Sequence, residues 1–310
     1  MGKTAFIFPG QGAQYAGMGK DFYDTYSTSK EIYDKAEELL LMDIKELCFE
    51  ENTKLSITRY TQPAMAVTCL AIYEGVRELG LTPDYFAGLS LGEYPAVIAS
   101  GVLSFEEGIK LVKIRGELME TAVPEGLGGM AAVLGLDGET IEKVLTEVDG
   151  IAVVANYNCP GQIVISGEKE AVSAAGEKLS AAGAKRVIPL NVSGPFHSPM
   201  LKGAGDKLLQ ELYSIIVSKP EIPYVANVDG KPVTEAEGIR ESLSKQVYSS
   251  VRWEDSVRTL LAAGVDLFVE IGPGKTLSGF IRKIDKNVTV INIEKIQDLE
   301  KLKEVIHARG

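Results

Sequence analysis

Cysteine is scarce in this 310-residue chain. Cys48, Cys69 and Cys159 stand far apart, an odd number with no CxxC pair. That excludes a disulfide framework and a thiolate zinc site, and it fits a reducing, cytoplasmic setting. Histidine is scarcer, with only His197 and His307, and no HExxH occurs, so no metal site is expected. Basic residues are in deficit: 32 Lys and Arg against 43 Asp and Glu leave a formal charge of −11. Such a balance speaks against general nucleic-acid binding and against adhesion to anionic membranes. No apolar run approaches the roughly 18 residues that a membrane-spanning helix needs. The N-terminal segment Lys3–Phe8 reads as a buried strand, not as a secretory leader. Internal repeats, charge blocks and low-complexity tracts are also missing.

What is present is ordinary for a globular protein: 45% hydrophobic and 24% charged residues. The length suits one large domain or two modest ones. Strand and helix patterns alternate, which predicts an α/β fold on a parallel sheet. Strands are expected at 4–8, 85–89, 265–271 and 288–293. Helices are expected at 21–49, 62–79, 91–100, 105–121 and 295–308. The turn-forming run Pro124–Gly129 interrupts this order. Between it and residue 191 the pattern is β-α-β-β-α-β, with strands at 130–134, 151–156, 162–166 and 185–188 and helices at 139–146 and 169–182. That order predicts an inserted ferredoxin-like small domain, 124–191, within a large domain made of 1–123 and 192–310.

Gly88-Leu89-Ser90-Leu91-Gly92 matches G-x-S-x-G between a strand and a helix, the setting of a nucleophile elbow. Ser90 would stand on a strained turn at the mouth of the sheet, with the Leu91 N–H aimed at any oxyanion formed on it. The plainer alternative makes Ser90 an ordinary helix N-cap. Pro95, early in the following helix, bends it or moves its start. A serine hydroxyl needs a base. His197 precedes Ser198-Pro199, which read as N-cap and first helical residue, so positive potential there would keep the imidazole neutral. His307 lies near the chain end in a Lys- and Glu-rich helix and reads as solvated. A loop histidine with a structural role is the alternative for His197.

The third candidate is Arg115. It shares a helix face with Leu111, Val112, Leu118 and Met119, and no acidic residue occupies that face. A buried guanidinium needs an anion. The partner is either a substrate carboxylate held bidentately or a carboxylate from elsewhere in the fold. Two glycine-rich turns are set aside. Gly272–Thr276 lacks the first glycine of a P-loop, since Val269 stands there, and Gly10-Gln11-Gly12 has Tyr15 where a dinucleotide fingerprint needs glycine.

Taken with Phe8–Gln14, Thr61–Ala64, Arg115-Gly116, Asn156–Gln162, Phe196–Ser198, Gln246, Trp253 and Glu270–Lys275, these residues resemble the malonyl-CoA:acyl-carrier-protein transacylase family over nearly the whole chain. The resemblance implies a hydrolase-like large domain with the small insertion. It also implies transfer of a malonyl group from malonyl-CoA to the phosphopantetheine thiol of acyl carrier protein, through a malonyl-serine ester and with no cofactor. Ser90 would be the nucleophile and His197 the base, oriented by a backbone carbonyl at Gln246. The backbone N–H groups of Gln11 and Leu91 would form the oxyanion hole, and Arg115 would bind the malonyl carboxylate. Phe196 would disfavour a branched acyl group, and Gln62 and Asn156 would support the site. Many relatives carry histidine where Leu89 stands, so that neighbour has no catalytic part here. Lys185, Arg186, Lys275, Arg282 and Lys283 are candidates for carrier docking, and a monomer is expected. The rival readings are a serine hydrolase or thioesterase, a polyketide-type loading enzyme, and a binding module that holds acyl-CoA without turnover.

Overall fold

The computed structural model describes residues 2–192 and 194–309; Ser193, in the segment before His197, lies outside them. Among the described residues ten strands form two sheets. The larger takes β1 (Lys3–Phe8), β2 (Tyr85–Gly88), β7 (Tyr224–Val225), β8 (Pro232–Val233), β9 (Val265–Ile271) and β10 (Thr289–Ile293), in the order β10-β9-β1-β2-β7-β8. All neighbours are parallel except the terminal β7–β8 pair. The smaller is antiparallel, β4-β5-β3-β6, from β3 (Gly128–Leu134), β4 (Ala152–Cys159), β5 (Gln162–Glu168) and β6 (Arg186–Pro189).

The expected parallel sheet is therefore present, and its central strand shows why. Ala5, Phe6, Ile7 and Phe8 are all fully buried, as a strand covered on both faces must be. Phe6 and Phe8 join the large core under the helices Thr58–Arg77 and Phe105–Thr121, while Ala5 and Ile7 join a second core with Trp253 and Phe268 on the other face. Strands β7 and β8 escaped the sequence reading because two residues are too few to show alternation.

Three helix expectations need correction. The single pattern at 21–49 is three helices, Lys20–Thr25, Ser27–Leu40 and Ile44–Phe49. Extended backbone at Tyr26 and a left-handed Leu41 (φ 49°) break it, and the Asp43 carboxylate restarts it by accepting from Glu46 N at 3.0 Å. The helix expected from Gln62 begins at Thr58 and carries Pro63 in its interior. The helix after Ser90 begins with a short 3-10 turn, Ser90–Gly92, and continues as Glu93–Ala99. Pro95 thus falls in its first turn, where N–H groups are not required. Among the described residues, no helix is long and apolar enough to cross a membrane.

The parallel strands deliver their following loops to one end of the sheet. Pro9–Gln11 follows β1, Ser90 follows β2, Asn227 lies just past β7, and Gly272–Gly274 follows β9. The antiparallel sheet is tied beside them by the bridge of Asn156 to Val251 and the hydrogen bonds Tyr157 N to Val251 O (2.9 Å) and Val251 N to Ala155 O (2.8 Å).

Candidate active site

A cavity of about 270 Å³ opens between the carboxyl ends of the parallel strands and the small sheet. This is where open α/β sheets place their ligands. Its wall includes Gln11, Gln62, Ser90, Leu91, Arg115, Asn156, Phe196 and His197, so eight of the nine sequence-derived site residues line one space. The ninth, Gln246, sits behind them and is buried.

Ser90 has a φ of +53°, a left-handed conformation that a serine rarely adopts without support. The flanking glycines make that turn possible. A Cβ on Gly88 would lie 1.9 Å from the Gly92 carbonyl oxygen, and one on Gly92 would lie 2.1 Å from that of Phe8. Ser90 is therefore an elbow residue; the 3-10 turn it opens carries no side-chain cap from its neighbour Leu89. Asn227 holds the elbow from outside. Its Oδ1 accepts from Ser90 N at 2.6 Å and its Nδ2 donates to Gly88 O at 2.7 Å.

His197 Nε2 lies 2.7 Å from Ser90 Oγ, and Nδ1 lies 2.7 Å from the backbone carbonyl of Gln246. A carbonyl only accepts, so Nδ1 carries the proton and Nε2 is left to accept from the serine. His197 also has positive φ, +58°, and is 4% exposed. Burial, and next the Arg115 cation, push its imidazole down to about 4, so the ring is neutral near pH 7. The helix end expected to do this contributes otherwise: Ser198 occupies the N-cap position, but its hydroxyl donates to Pro195 O at 2.6 Å. His307 is exposed on the last helix, Asp298–Arg309, and takes no part.

Arg115 is 1% exposed. Its Nη1 donates to Gln62 Oε1 at 2.7 Å, and its Nη2 donates to Gln246 Oε1 at 2.8 Å and to Ser90 Oγ at 3.2 Å. The guanidinium carbon lies 5.1 Å from the centre of the Tyr94 ring. Among the described residues no carboxylate reaches ion-pair distance of it, so the alternative of a structural salt bridge is not what the fold provides. A cation hydrogen-bonded to amides, beside a reactive hydroxyl, can take an acyl group that ends in an anion.

Two buried residues of the site were not picked out from the sequence, Asn227 and Glu93. Glu93 is fully buried, and its Oε2 accepts from Gln246 Nε2 at 2.8 Å and from Asn227 N at 3.2 Å. Desolvation raises its carboxyl to about 7, against the lowering effect of those bonds and of Arg115. The signal for Glu93 was its place directly after the elbow; Asn227, in a loop 137 residues from Ser90, left none.

The chain is similar to known proteins over nearly its whole length. The acyl transferase domain family matches residues 5–299. The malonyl CoA-acyl carrier protein transacylase of Bacillus subtilis (strain 168) is 44% identical over 304 residues, covering 97% of this chain and 96% of that protein. The crystal structure of the malonyl CoA-acyl carrier protein transacylase from Clostridium perfringens ATCC 13124 superposes with a TM-score of 0.96 at 45% identity, covering 99% of this chain and 98% of the other. A malonyl-transacylase solved in complex with its type II PKS acyl-carrier protein superposes with a TM-score of 0.95 at 40% identity, covering 98% and 99%. The chain belongs to the malonyl-CoA:acyl-carrier-protein transacylase family and is an acyltransferase.

Proposed function

We propose that this acyltransferase moves a malonyl group from malonyl-CoA to the phosphopantetheine thiol of acyl carrier protein, in two half-reactions through an ester on Ser90. The observation that carries the reading is the placement of the Arg115 fork 3.2 Å from Ser90 Oγ, with no carboxylate of the described residues on it. The malonyl carboxylate takes that position, which sets the thioester carbon beside Ser90 Oγ. His197 Nε2 accepts the Ser90 proton as Oγ attacks, and the imidazolium is oriented by the Gln246 carbonyl. The tetrahedral oxyanion is held by the backbone N–H groups of Gln11 and Leu91; one such donor is worth about 3 kcal/mol. Collapse expels the CoA thiolate, which takes the proton from His197. The carrier thiol then repeats the sequence in reverse, giving its proton to His197 and leaving with the malonyl group.

Phe196, buried against the cavity, leaves little room for a branch on the acyl chain. Gln62 and Gln246 keep the Arg115 fork in place, and Asn156 completes the wall from the small sheet. We read 124–191 as a ferredoxin-like small domain within a hydrolase-like large one, 1–123 and 192–310. The order β4-β5-β3-β6, with helices Gly138–Leu145 and Lys169–Ala181 in the β-α-β-β-α-β connection, supports this. Lys185, Arg186, Lys275, Arg282 and Lys283 are exposed; Lys275 precedes the helix Thr276–Ile284 and Arg282 and Lys283 lie in its last turn, while its Thr276, Leu277 and Phe280 line the cavity. They give an acidic carrier a local basic approach on a chain of net charge −11.

The test is direct. The protein is mixed with malonyl-CoA, quenched in acid, digested and weighed by mass spectrometry. A malonyl group on the Ser90 peptide, discharged by holo-acyl carrier protein, is the expected result. Steady CoA release without an adduct would instead identify a hydrolase. Fatty-acid elongation is the process such transfer supplies, and the relative solved with a type II PKS carrier makes that carrier the second acceptor to assay.

A further inference from the structure

The primary amide of Gln246 is held at both ends by charged groups. Its Oε1 accepts from Arg115 Nη2 at 2.8 Å, and its Nε2 donates to Glu93 Oε2 at 2.8 Å and to Ser90 O at 2.8 Å. A buried cation and a buried carboxyl thus face each other across one side chain. Glu93 Oε2 also accepts from Asn227 N, and Asn227 clamps the Ser90 elbow. The other carboxyl oxygen, Oε1, is buried and has no hydrogen-bond partner among the described residues. One carboxyl group therefore braces the nucleophile, the residue that orients the base, and the carboxylate clamp.

We propose that Glu93 is a positioning residue that also carries the compensating charge of the site: it is ionised opposite Arg115 while the site is empty, and it accepts a proton on Oε1 when a malonyl carboxylate pairs with Arg115. The inference rests on the malonyl reading above. The balance is simple. Arg115 and Glu93 together are neutral before substrate arrives. A substrate carboxylate would leave a net charge of −1 in a dry pocket, and a proton from solvent, forming one O–H bond on Glu93, restores neutrality. Protonation at Oε1 leaves both bonds to Oε2 intact, so the bracing of Gln246 and Asn227 survives the change. The groups that face Glu93 are Arg115 from the helix Phe105–Thr121, Asp229 beyond β7, Tyr224 on β7, and Tyr94 beside it. Asp229 opposes ionisation, Arg115 favours it, and both tyrosines remain neutral. His197, next to Arg115, stays neutral well above its lowered range. A carboxyl lifted to about 7 is poised to change state at physiological pH.

The experiment is titration calorimetry of Ser90→Ala, which blocks turnover, with malonyl-CoA and with acetyl-CoA. It is run at about pH 8 in buffers of different ionisation enthalpy, so that proton uptake is read from the buffer dependence of the heat. Malonyl-CoA is expected to take up most of a proton per site and acetyl-CoA almost none. In Ser90→Ala/Glu93→Gln the malonyl-linked uptake is expected to vanish. Malonyl-CoA that binds with the same heat in every buffer overturns the proposal and leaves the malonyl reading standing. Uptake that persists in the Gln variant assigns the proton elsewhere and also overturns it. Failure of malonyl-CoA to bind at all, while acetyl-CoA binds, overturns the malonyl reading itself. If the Gln variant does not fold, the comparison of the two thioesters on Ser90→Ala decides alone.

Discussion

Replacing Arg115 by alanine separates the two donors that the proposed carboxylate clamp would distinguish. For malonyl-CoA the change removes a bidentate contact to the distal carboxylate, two charge-assisted hydrogen bonds in a pocket where the guanidinium is 1% exposed. At roughly 1.5–3 kcal/mol each, discounted because Arg115 already bonds Gln62 and Gln246 in the empty site, the loss is about 3–4 kcal/mol, or 10²–10³ in kcat/KM. Acetyl-CoA has no carboxylate and loses only the 3.2 Å contact of Nη2 to Ser90 Oγ. It also gains a more basic catalyst, because Arg115 is one of the two causes that hold the His197 imidazole down. Acetyl transfer should therefore change less than tenfold. The two thioesters are assayed in parallel for transfer to holo-acyl carrier protein, with Arg115→Lys beside them. Lysine keeps the charge but lacks the planar fork, so it should recover only part of the malonyl rate. Equal losses for malonyl- and acetyl-CoA would refute the argument, because they would make Arg115 a general support of the site.

The pH profile of kcat/KM for acetyl-CoA reports the free enzyme, whose His197 is lowered from 6.5 to about 4. The base is competent above that value, so the rate should hold as pH falls from 7 to about 5; an acid limb centred at 6.5 would show that burial and Arg115 do not act as described. The same shift enters stability. A histidine kept neutral by the fold stabilises above 6.5 and ceases to as pH falls toward 4, a loss of about 3 kcal/mol, whereas Glu93, raised from 4.5 to about 7, costs stability as pH rises through that interval. Glu93→Gln should therefore steepen the acid-side fall in melting temperature between pH 6.5 and 4.5, and an unchanged profile would contradict the raised Glu93 carboxyl. Asn227→Ala strips the elbow of bonds to Ser90 N and Gly88 O, which should cost about 2–4 kcal/mol and slow Ser90 acylation; normal acylation in a folded variant would dismiss the clamp. Phe196→Ala should raise methylmalonyl transfer relative to malonyl by about tenfold or more, measured as a ratio of kcat/KM, and an unaltered ratio would remove Phe196 from selectivity.

The residues legible in the sequence are those whose chemistry is declared locally. Ser90 is declared by its glycines, since each of them fits only where backbone passes within about van der Waals distance, and that requirement is written in five consecutive letters. His197 is declared by scarcity. The parallel sheet is declared by uninterrupted apolar runs such as Ala5–Phe8. The breaks at Tyr26 and Leu41 were not, because nothing in their side chains forbids a helix; tertiary packing decides there. Asn227 and Glu93 fail for a different reason. An asparagine after a two-residue strand and a glutamate in a first helical turn both have ordinary local explanations. Their roles exist only because β2 pairs with β7 and brings together residues 134 and 137 apart.

Arg115 lies between these cases, and it shows what such a reading can reach. Helical spacing alone places a cation on a face with no acidic partner, and burial physics then demands an anion. That demand left two answers, a carboxylate of the chain or one of the substrate. The fold removes the first by surrounding the guanidinium with the amide oxygens of Gln62 and Gln246, and it sets the nearest acid, Glu93, on the far side of the Gln246 amide. Direct contact with Glu93 would have neutralised the clamp and closed it to substrate. Removing Glu93 altogether would have left an uncompensated charge in a dry site. Separation by one amide meets both constraints, and it is why the pair can release its charge balance to an incoming carboxylate.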